Sequence, residues 1–451
     1  MKSADLTESV LPQVAAALWE RVQNIELAAV PERVRRIATH CLLDWLGCAL
    51  AGSREPLAAV LRDELSAADG VATLPGSRSR ASVLSAALIN GSAGHALDYD
   101  DTGTIGHPSA PVWPAVLAVA EERGLTGAEV LEAFIVGFEV ESRVGSLFGR
   151  DPYNNGWHTT PLYGVFGSMA ATAKLLGLNE QQFGNALGLA ASQACGVKAN
   201  FGTMTKPFHA GHAAERGCLA ARLAGRGFTA NAAAIEGNQG LLQAMGSGTT
   251  LLARLGEQRD RWFLPEVLFK YHAACYLTHS TINNVRAVAG DVAANAVDAI
   301  ELTVNPSIID VCGLYDRPQT GLEGKFSLTG TAAMAVHRID TSAPDSFRAE
   351  VVTDPALQAT MAKVRIQHDE DLTITQARLK LHTVDGGVLE TASDSGVPNE
   401  QLDTQEQALL GKFAALAGPI LGEAAVTLPG RLLSVDQESS VAELLALTAV
   451  P

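Results

Sequence analysis

Aromatic residues are scarce: Phe, Tyr and Trp together make up 5% of the 451 residues, and charged residues only 18%. With 47% hydrophobic residues and abundant glycine and alanine, the chain has material for a large core of closely packed helices, and its length suits two or three domains. Basic residues are also short, 33 Lys and Arg against 49 Asp and Glu, a net charge of −16. That balance argues against nucleic acid and against an anionic membrane as partners. It is compatible with an anionic small substrate, because a local cationic pocket overrides the global sign. The six cysteines, at 41, 48, 195, 218, 275 and 312, form no C-x-x-C pair and sit mostly in apolar runs, which reads as buried, reduced thiols. The stretch Met1 to Ser9 is polar and acidic, unlike a signal peptide, and no uncharged apolar run reaches 18 residues. A cytoplasmic protein with no membrane span is the expectation.

Cofactor signatures are missing as well. There is no H-E-x-x-H, no P-loop, no glycine-rich fingerprint after a strand, no G-x-S-x-G and no three-cysteine cluster. His209 and His212 have helical i,i+3 spacing, but only Glu215 stands near to complete a metal site. Asp98-x-Asp100 resembles the start of a calcium loop without its glycine and closing glutamate. Neither a metal nor a nucleotide cofactor is expected.

What is present is helix after helix. Pro31 suits a first helical position before a run through Val34, Ile37, Leu42, Leu43 and Leu46. Thr126-x-x-Glu129 is a capping box opening Val130 to Leu147, and Asn179-x-x-Gln182 opens another helix, ending near Gly196. Ala210 to Leu223 continues the pattern, and no strand is expected before about Phe263. Beyond it, strands are expected at Ala299–Val304, Val364–Gln367 and Ala377–His382, with Asp385-Gly386-Gly387 as a hairpin turn. A helix is expected over Gly321–Ile339, another over Asn399–Leu421 and a short last one over Val441–Leu447. The resulting organisation is an all-α domain over 1–264, an α+β domain over 265–395, and C-terminal helices over 396–451 that return to the first.

Four segments concentrate chemistry. Asp98, Asp100, Asp101, Thr102 and His107 fall within ten residues, directly after the apolar pattern Ala81 to Asn90. Carboxylates beside imidazoles are the ingredients for moving protons, and groups of this kind are costly to bury without a use. The bland alternative is a helix end capped by Asx and Thr side chains. His158 closes the loop Asn154–Trp157 just before a helix, a place that favours neutral imidazole. Lys206, before Pro207, is expected at a loop-to-helix junction, where it can face a carboxylate. Lys270 and His272 lie at the proposed domain junction, where binding clefts form.

These segments carry a resemblance. His95-Ala96-Leu97-Asp98-Tyr99-Asp100-Asp101-Thr102, His107-Pro108-Ser109, Thr205-Lys206-Pro207-Phe208-His209-Ala210-Gly211 and Gly321-Leu322-Glu323-Gly324-Lys325-Phe326-Ser327 resemble, in order and spacing, the MmgE/PrpD family. That family includes 2-methylcitrate dehydratases, cis-aconitate decarboxylases and iminodisuccinate epimerases. The resemblance implies a mainly-α protein with a large helical domain and a smaller α+β lid domain, a cleft between them, a homodimer, and metal-free, cofactor-free chemistry on small polycarboxylates. It places the active site on Asp98, Thr102, His107, His158, Lys206 and Lys270. Two positions depart from the decarboxylase pattern: a family histidine falls on Ala274 and a family tyrosine on Leu314, beside Tyr315.

The expectation from these readings is a 2-methylcitrate-dehydratase-like lyase. The alternatives are an epimerase or isomerase, a cis-aconitate-type decarboxylase, and a non-catalytic carboxylate-binding relative. His158 is the expected neutral base and His107 the acid, with Asp98 orienting an imidazole. Lys206 stabilises developing charge, and Thr102, Lys270, His272 and Arg317 bind substrate carboxylates.

Overall fold

In the computed structural model the described residues are 11–450, apart from 104, 150, 247–253 and 291. The fold is mainly helical, and its helices begin where local chemistry allows. Ten are labelled here: α1 (Gln13–Asn24), α2 (Glu32–Gly52), α3 (Pro56–Leu65), α4 (Val83–His95), α5 (Ser109–Arg123), α6 (Gly127–Phe148), the short α7 (Asp151–Asn154), α8 (Thr159–Leu176), α9 (Glu180–Ala191) and α10 (Thr205–Gly225). Thr126 and Asn179 form the capping boxes of α6 and α9. Ser82 caps α4, its Oγ accepting from the Ser85 amide. Pro31 is the N-cap of α2 rather than its first residue, leaving Glu32 to open the helix. Lys206 lies inside the first turn of α10, not ahead of it. Pro207 fits there because the first turn needs no amide donor.

The chain divides into two compact units. The large unit comprises the described residues up to Ala96, Asp100–Val267 and those from Ala417 on; the small unit comprises Leu97–Tyr99 and Leu268–Leu416. In the large unit α10 packs on α4 and α8 at van der Waals range of the backbones. A Cβ on Gly91 would meet the Gly211 Cα at 2.8 Å, and one on Gly217 would meet the Val165 carbonyl oxygen at 2.4 Å. Small residues, not rings, therefore set the helix spacing, which accounts for the low aromatic content. The only strands of this unit among the described residues are β1 (Ala72–Thr73) and β2 (Arg80–Ala81), a two-residue antiparallel pair too short to read as an alternation.

The small unit holds a sheet of order β4-β3-β5-β6, from β3 (Val297–Val304), β4 (Val364–His368), β5 (Gln376–Thr383) and β6 (Val388–Asp394). β3 pairs parallel with β4 and antiparallel with β5; β5 and β6 form the expected hairpin, with Leu381 opposite Leu389 and Gly386 at a φ of 88°. In β5, Ala377, Leu379 and Leu381 are buried while Arg378 and Lys380 face outward. Leu379 and Leu381 pack with Ile282 and Val285 of the helix His279–Val288 and with Ala332 and Val336 of the helix Leu328–Val336. The single helix expected over Gly321–Ile339 is two, Gly321–Lys325 and Leu328–Val336. Ser327 breaks the run by leaving helical geometry and capping the second helix, its Oγ accepting from the Gly330 amide at 2.8 Å. No described helix is long and apolar enough to cross a membrane.

Candidate active site

The end of α4, the start of α5, the first turn of α10 and the start of α8 bring one polar network together inside the large unit. His95, the last residue of α4, is 1% exposed. Its Nδ1 lies 2.9 Å from Asp100 Oδ1, and its Nε2 lies 3.2 Å from Lys206 Nζ. A charged ammonium can only donate, so Nε2 accepts, and the ring proton sits on Nδ1 and is donated to Asp100. His95 is thereby fixed as one neutral tautomer. Burial, with the Lys206 charge and His107 beside it, lowers its pKa to about 4 against the pull of Asp100. On the other side of Asp100, His107 Nδ1 lies 3.2 Å from Oδ2, and the two imidazoles meet edge to face at 4.4 Å. Burial alone would raise the Asp100 pKa; the two imidazoles hold it well below the usual carboxylate range.

His158 is the N-cap of α8 and is 3% exposed. Its Nδ1 lies 3.1 Å from His209 Nδ1, so one ring donates and the other accepts, and its amide donates to the Gly196 carbonyl. Burial, then the neighbouring His95 and Lys206, hold its pKa far below the usual imidazole value. The rings of His95 and His158 stack at 6.0 Å between centroids. Lys206 also sits 5.5 Å from the centre of the Phe201 ring.

The neighbouring polar residues shape the backbone. Thr102 donates to the Gly106 carbonyl at 3.2 Å, closing the loop before His107, and the His107 amide donates to Thr160 Oγ1 at 3.1 Å. Asp101 is fully buried; it accepts from the Ser109 amide at 3.2 Å and shares a hydrogen bond with the Ser109 hydroxyl, which pins the start of α5. Burial, with Asp44 nearby, raises its pKa to about 8, so at neutral pH it is largely protonated.

The small unit has a second network, built on lysine. Lys270 is 2% exposed, and its Nζ donates to the Asp98 carbonyl at 2.6 Å and to Asp98 Oδ1 at 3.1 Å. Asp98 has a φ of 51°, a left-handed conformation uncommon outside glycine. His272, expected to bind substrate, has both ring nitrogens engaged inside its own unit, Nδ1 with Thr341 Oγ1 at 2.8 Å and Nε2 with Asn283 Oδ1 at 3.0 Å. It has no nitrogen left to offer a ligand, and burial lowers its pKa to about 4; its place is structural. Arg317, the expected clamp, is exposed in the loop before Gly321 and joins neither Lys270 nor Asp98. Ala274 is buried, while Leu314 is 63% exposed beside Tyr315.

Asp98 was the carboxylate expected to orient an imidazole. In the structure Asp100 lies between His95 and His107, and Asp98 is paired with Lys270. His95, Asp100 and His209 were legible as part of their motifs but without a role. The signal that would have singled out His95 and Asp100 is their five-residue separation across a helix end, which lets two polar side chains fold back on each other. His95, Asp100 and His107 also offer ligand atoms within 4.8 Å of one another, a spacing that suits a metal ion. The Lys206 ammonium on His95 Nε2 sets a positive charge beside them that disfavours a second cation.

A buried carboxylate thus lies between two imidazoles, one of them carrying an ammonium on its far nitrogen. The MmgE/PrpD N-terminal domain matches residues 16–252 and the MmgE/PrpD C-terminal domain residues 272–428. The chain belongs to the MmgE/PrpD family. It is 26% identical to a cis-aconitate decarboxylase of Aspergillus terreus, over 97% of this chain and 96% of the relative. It is 28% identical to the cis-aconitate decarboxylase of Mus musculus over 80% of this chain and 78% of that protein, and 26% identical to the Homo sapiens one over 91% and 89%.

Proposed function

We propose that this protein is a lyase that acts on a small di- or tricarboxylate by proton transfer at the carbon next to a carboxylate, with no cofactor. The observation that carries this reading is the Lys206–His95–Asp100–His107 chain, in which the carboxylate lies between two imidazoles and an ammonium meets the far nitrogen of one of them. Lys206 is the group that binds a substrate carboxylate and stabilises enolate-like charge on it. His158, held neutral by burial, takes the proton from carbon. His107, with Nδ1 facing Asp100, presents Nε2 as the donor. Thr102 is a further substrate contact. Lys270, with Asp98, is the small unit's carboxylate-binding group.

Elimination of water is the reaction this set suits first. The base takes a proton from carbon, and the acid protonates the departing hydroxide, so the hydroxy acid becomes an alkene and water. Separate imidazole pairs, His95 with His107 and His158 with His209, supply distinct acid and base. Ala274 and Leu314, in place of the histidine and tyrosine of the decarboxylase pattern, support this reading. Decarboxylation is the second reading, favoured by the names of the relatives. There a carboxylate leaves as carbon dioxide, and the acid protonates the carbon it leaves.

Proton NMR in D₂O over a panel of hydroxy-tricarboxylates, cis-aconitate and amino-dicarboxylates tests both. Loss of the hydroxy acid with a new vinylic signal, or a new methyl signal on an alkene where the substrate carries a methyl group, is expected for the hydro-lyase, and consumption of cis-aconitate with release of carbon dioxide for the decarboxylase. Solvent deuterium entering a stereocentre with no new alkene would replace both with an epimerase. An unchanged spectrum across the panel would sink the lyase reading.

A further inference from the structure

We infer that Lys412 is a positioning residue: its buried ammonium ties together the two backbone segments that carry Asp98 and Lys270. The inference rests on the reading of Lys270 as a carboxylate-binding group and adds the device that holds it in place. Lys412 lies on the helix Leu402–Leu421 and is 3% exposed. Its Nζ donates to the Tyr99 carbonyl at 2.6 Å and to the Lys270 carbonyl at 2.9 Å, and it lies 3.9 Å from the centre of the Tyr99 ring. A lysine ammonium has three donors and no acceptor. Two of these donors go to carbonyls, and the ring lies against the same charge.

The geometry interlocks. Lys270 Nζ holds the carbonyl of Asp98, and Lys412 Nζ holds the next carbonyl, that of Tyr99, together with that of Lys270 itself. Two ammonium groups thus fix two consecutive carbonyls, on a segment whose Asp98 sits at a φ of 51°. Residues 97–99 are the only N-terminal residues assigned to the small unit, joined in sequence to none of the rest of it. Tyr99 of this piece is fully buried, and its ring lies against the Lys412 ammonium. A buried lysine is costly unless its donors are met, and here they are met by the residues that flank the Asp98–Lys270 pair. A core position needing only bulk would take leucine, as the helix does at Leu409 and Leu416.

The test compares Lys412→Met, Lys412→Arg, Lys270→Met and the double variant Lys270→Met/Lys412→Met with the wild-type protein. Melting temperature by circular dichroism reports folding. Acetylation of Lys270 by acetic anhydride, read by mass spectrometry, reports its position without any substrate. For Lys412→Met we expect several-fold faster acetylation of Lys270 and a loss of about 10²-fold in kcat/KM, the scale of a misplaced binding group, expressed mainly in KM. Lys412→Arg should fall between it and wild type. The double variant should be no slower than Lys270→Met alone, because both changes remove one function. A folded Lys412→Met with Lys270 still protected overturns the inference, as does a double variant in which the two losses multiply. If Lys270→Met keeps wild-type kcat/KM, the reading of Lys270 as carboxylate-binding fails, and the acetylation rate alone decides the role of Lys412. If Lys412→Met does not fold, Lys412→Arg is read by the same two criteria.

Discussion

The large unit's histidine network and the small unit's lysine network each have a buried centre, Asp100 in one and Lys270 in the other, and they are wired in opposite ways. Around Asp100 each polar side chain meets another side chain that can change its own charge: His95, His107 and, through His95, Lys206. Around Lys270 the partners are mostly carbonyl oxygens, of Asp98, Tyr99 and Lys270 itself, which cannot take up a proton at any ordinary pH. A network of titratable partners passes protons, because moving one changes the affinity of the next. A network of ammonium groups on carbonyls only fixes charge in space. One short stretch of sequence, His95 to Asp101, contributes to both, and the choice of partner separates them: titratable side chains in one, mainly backbone carbonyls in the other.

The largest expected effect comes from breaking the titratable network at its centre. Asp100→Asn keeps the shape but gives the two imidazoles an amide in place of a carboxylate, so His95 and His107 lose the acceptor that sets their tautomers. The expected loss is on the order of 10²–10⁴-fold in kcat, the usual scale for general acid–base groups, with at least one limb of the pH–rate profile shifted. Asp98→Asn, in the other network, should act chiefly on KM and leave the limbs in place. Matching pH profiles for the two variants would erase the distinction drawn between the networks.

The sequence made the helical unit, the hairpin and both capping boxes legible because each rests on local chemistry: periodicity, a turn glycine, a Thr–Glu or Asn–Gln pair three residues apart. The three aspartates at 98, 100 and 101 show why the site was only partly legible. In sequence they are interchangeable; in the fold one meets an ammonium, one sits between imidazoles, and one is pushed to the neutral form beside Ser109. Those fates depend on residues 111 and 172 positions away in the chain, Lys206 from His95 and Lys270 from Asp98. Lys412 gave a local signal that a closer reading catches: it shares a helix face with Leu409, Phe413 and Leu416, all buried, where a lysine is out of place unless it has partners.

A smaller, thermodynamic effect comes from Asp101, Glu141 and His272. Asp101, with its pKa raised to about 8, keeps in the folded state a proton that the unfolded chain releases above the usual carboxylate range. Its contribution to stability is full below about pH 4 and is lost progressively as pH rises from there to about 8. Glu141, fully buried and also shifted well upward by burial, acts in the same direction. His272 works the other way. Lowered to about 4, it stays neutral when folded while the unfolded chain takes up a proton below about 6.5. Its contribution is full at neutral pH and is lost as pH falls toward 4. Between about pH 4 and 6.5 the two kinds of group therefore oppose each other, and from about 6.5 to 8 the buried carboxyls alone lower the melting temperature as pH rises. Asp101→Asn, which mimics the protonated acid toward Ser109, should weaken that fall toward pH 8. His272→Asn should remove the opposing rise between about pH 4 and 6.5. Each change is expected to be worth on the order of 1–3 kcal/mol within its own window. Variant curves that run parallel to wild type would show that these two groups do not govern the dependence.

The smallest expected effect is none at all, and it bears on the one competing use of the His95, Asp100 and His107 atoms. Their spacing suits a metal ion. A divalent cation there would need His95 to turn a free nitrogen toward it and would need Asp100 as its anionic ligand. His95 already gives Nε2 to the Lys206 ammonium and Nδ1 to Asp100, and Asp100 is shared with His107. Binding a cation would break these contacts and set two like charges a few ångströms apart, a repulsion of about 4 kcal/mol at 4 Å for unit charges near a protein surface. Exhaustive treatment with EDTA, followed by assay in metal-free buffer, should leave kcat and KM unchanged. Activity lost on chelation and restored by one particular divalent ion would mean that Asp100 is a ligand first and a proton-network centre second. The Asp100→Asn result would then have to be read as metal loss, which measuring the metal content of wild type and variant would reveal directly.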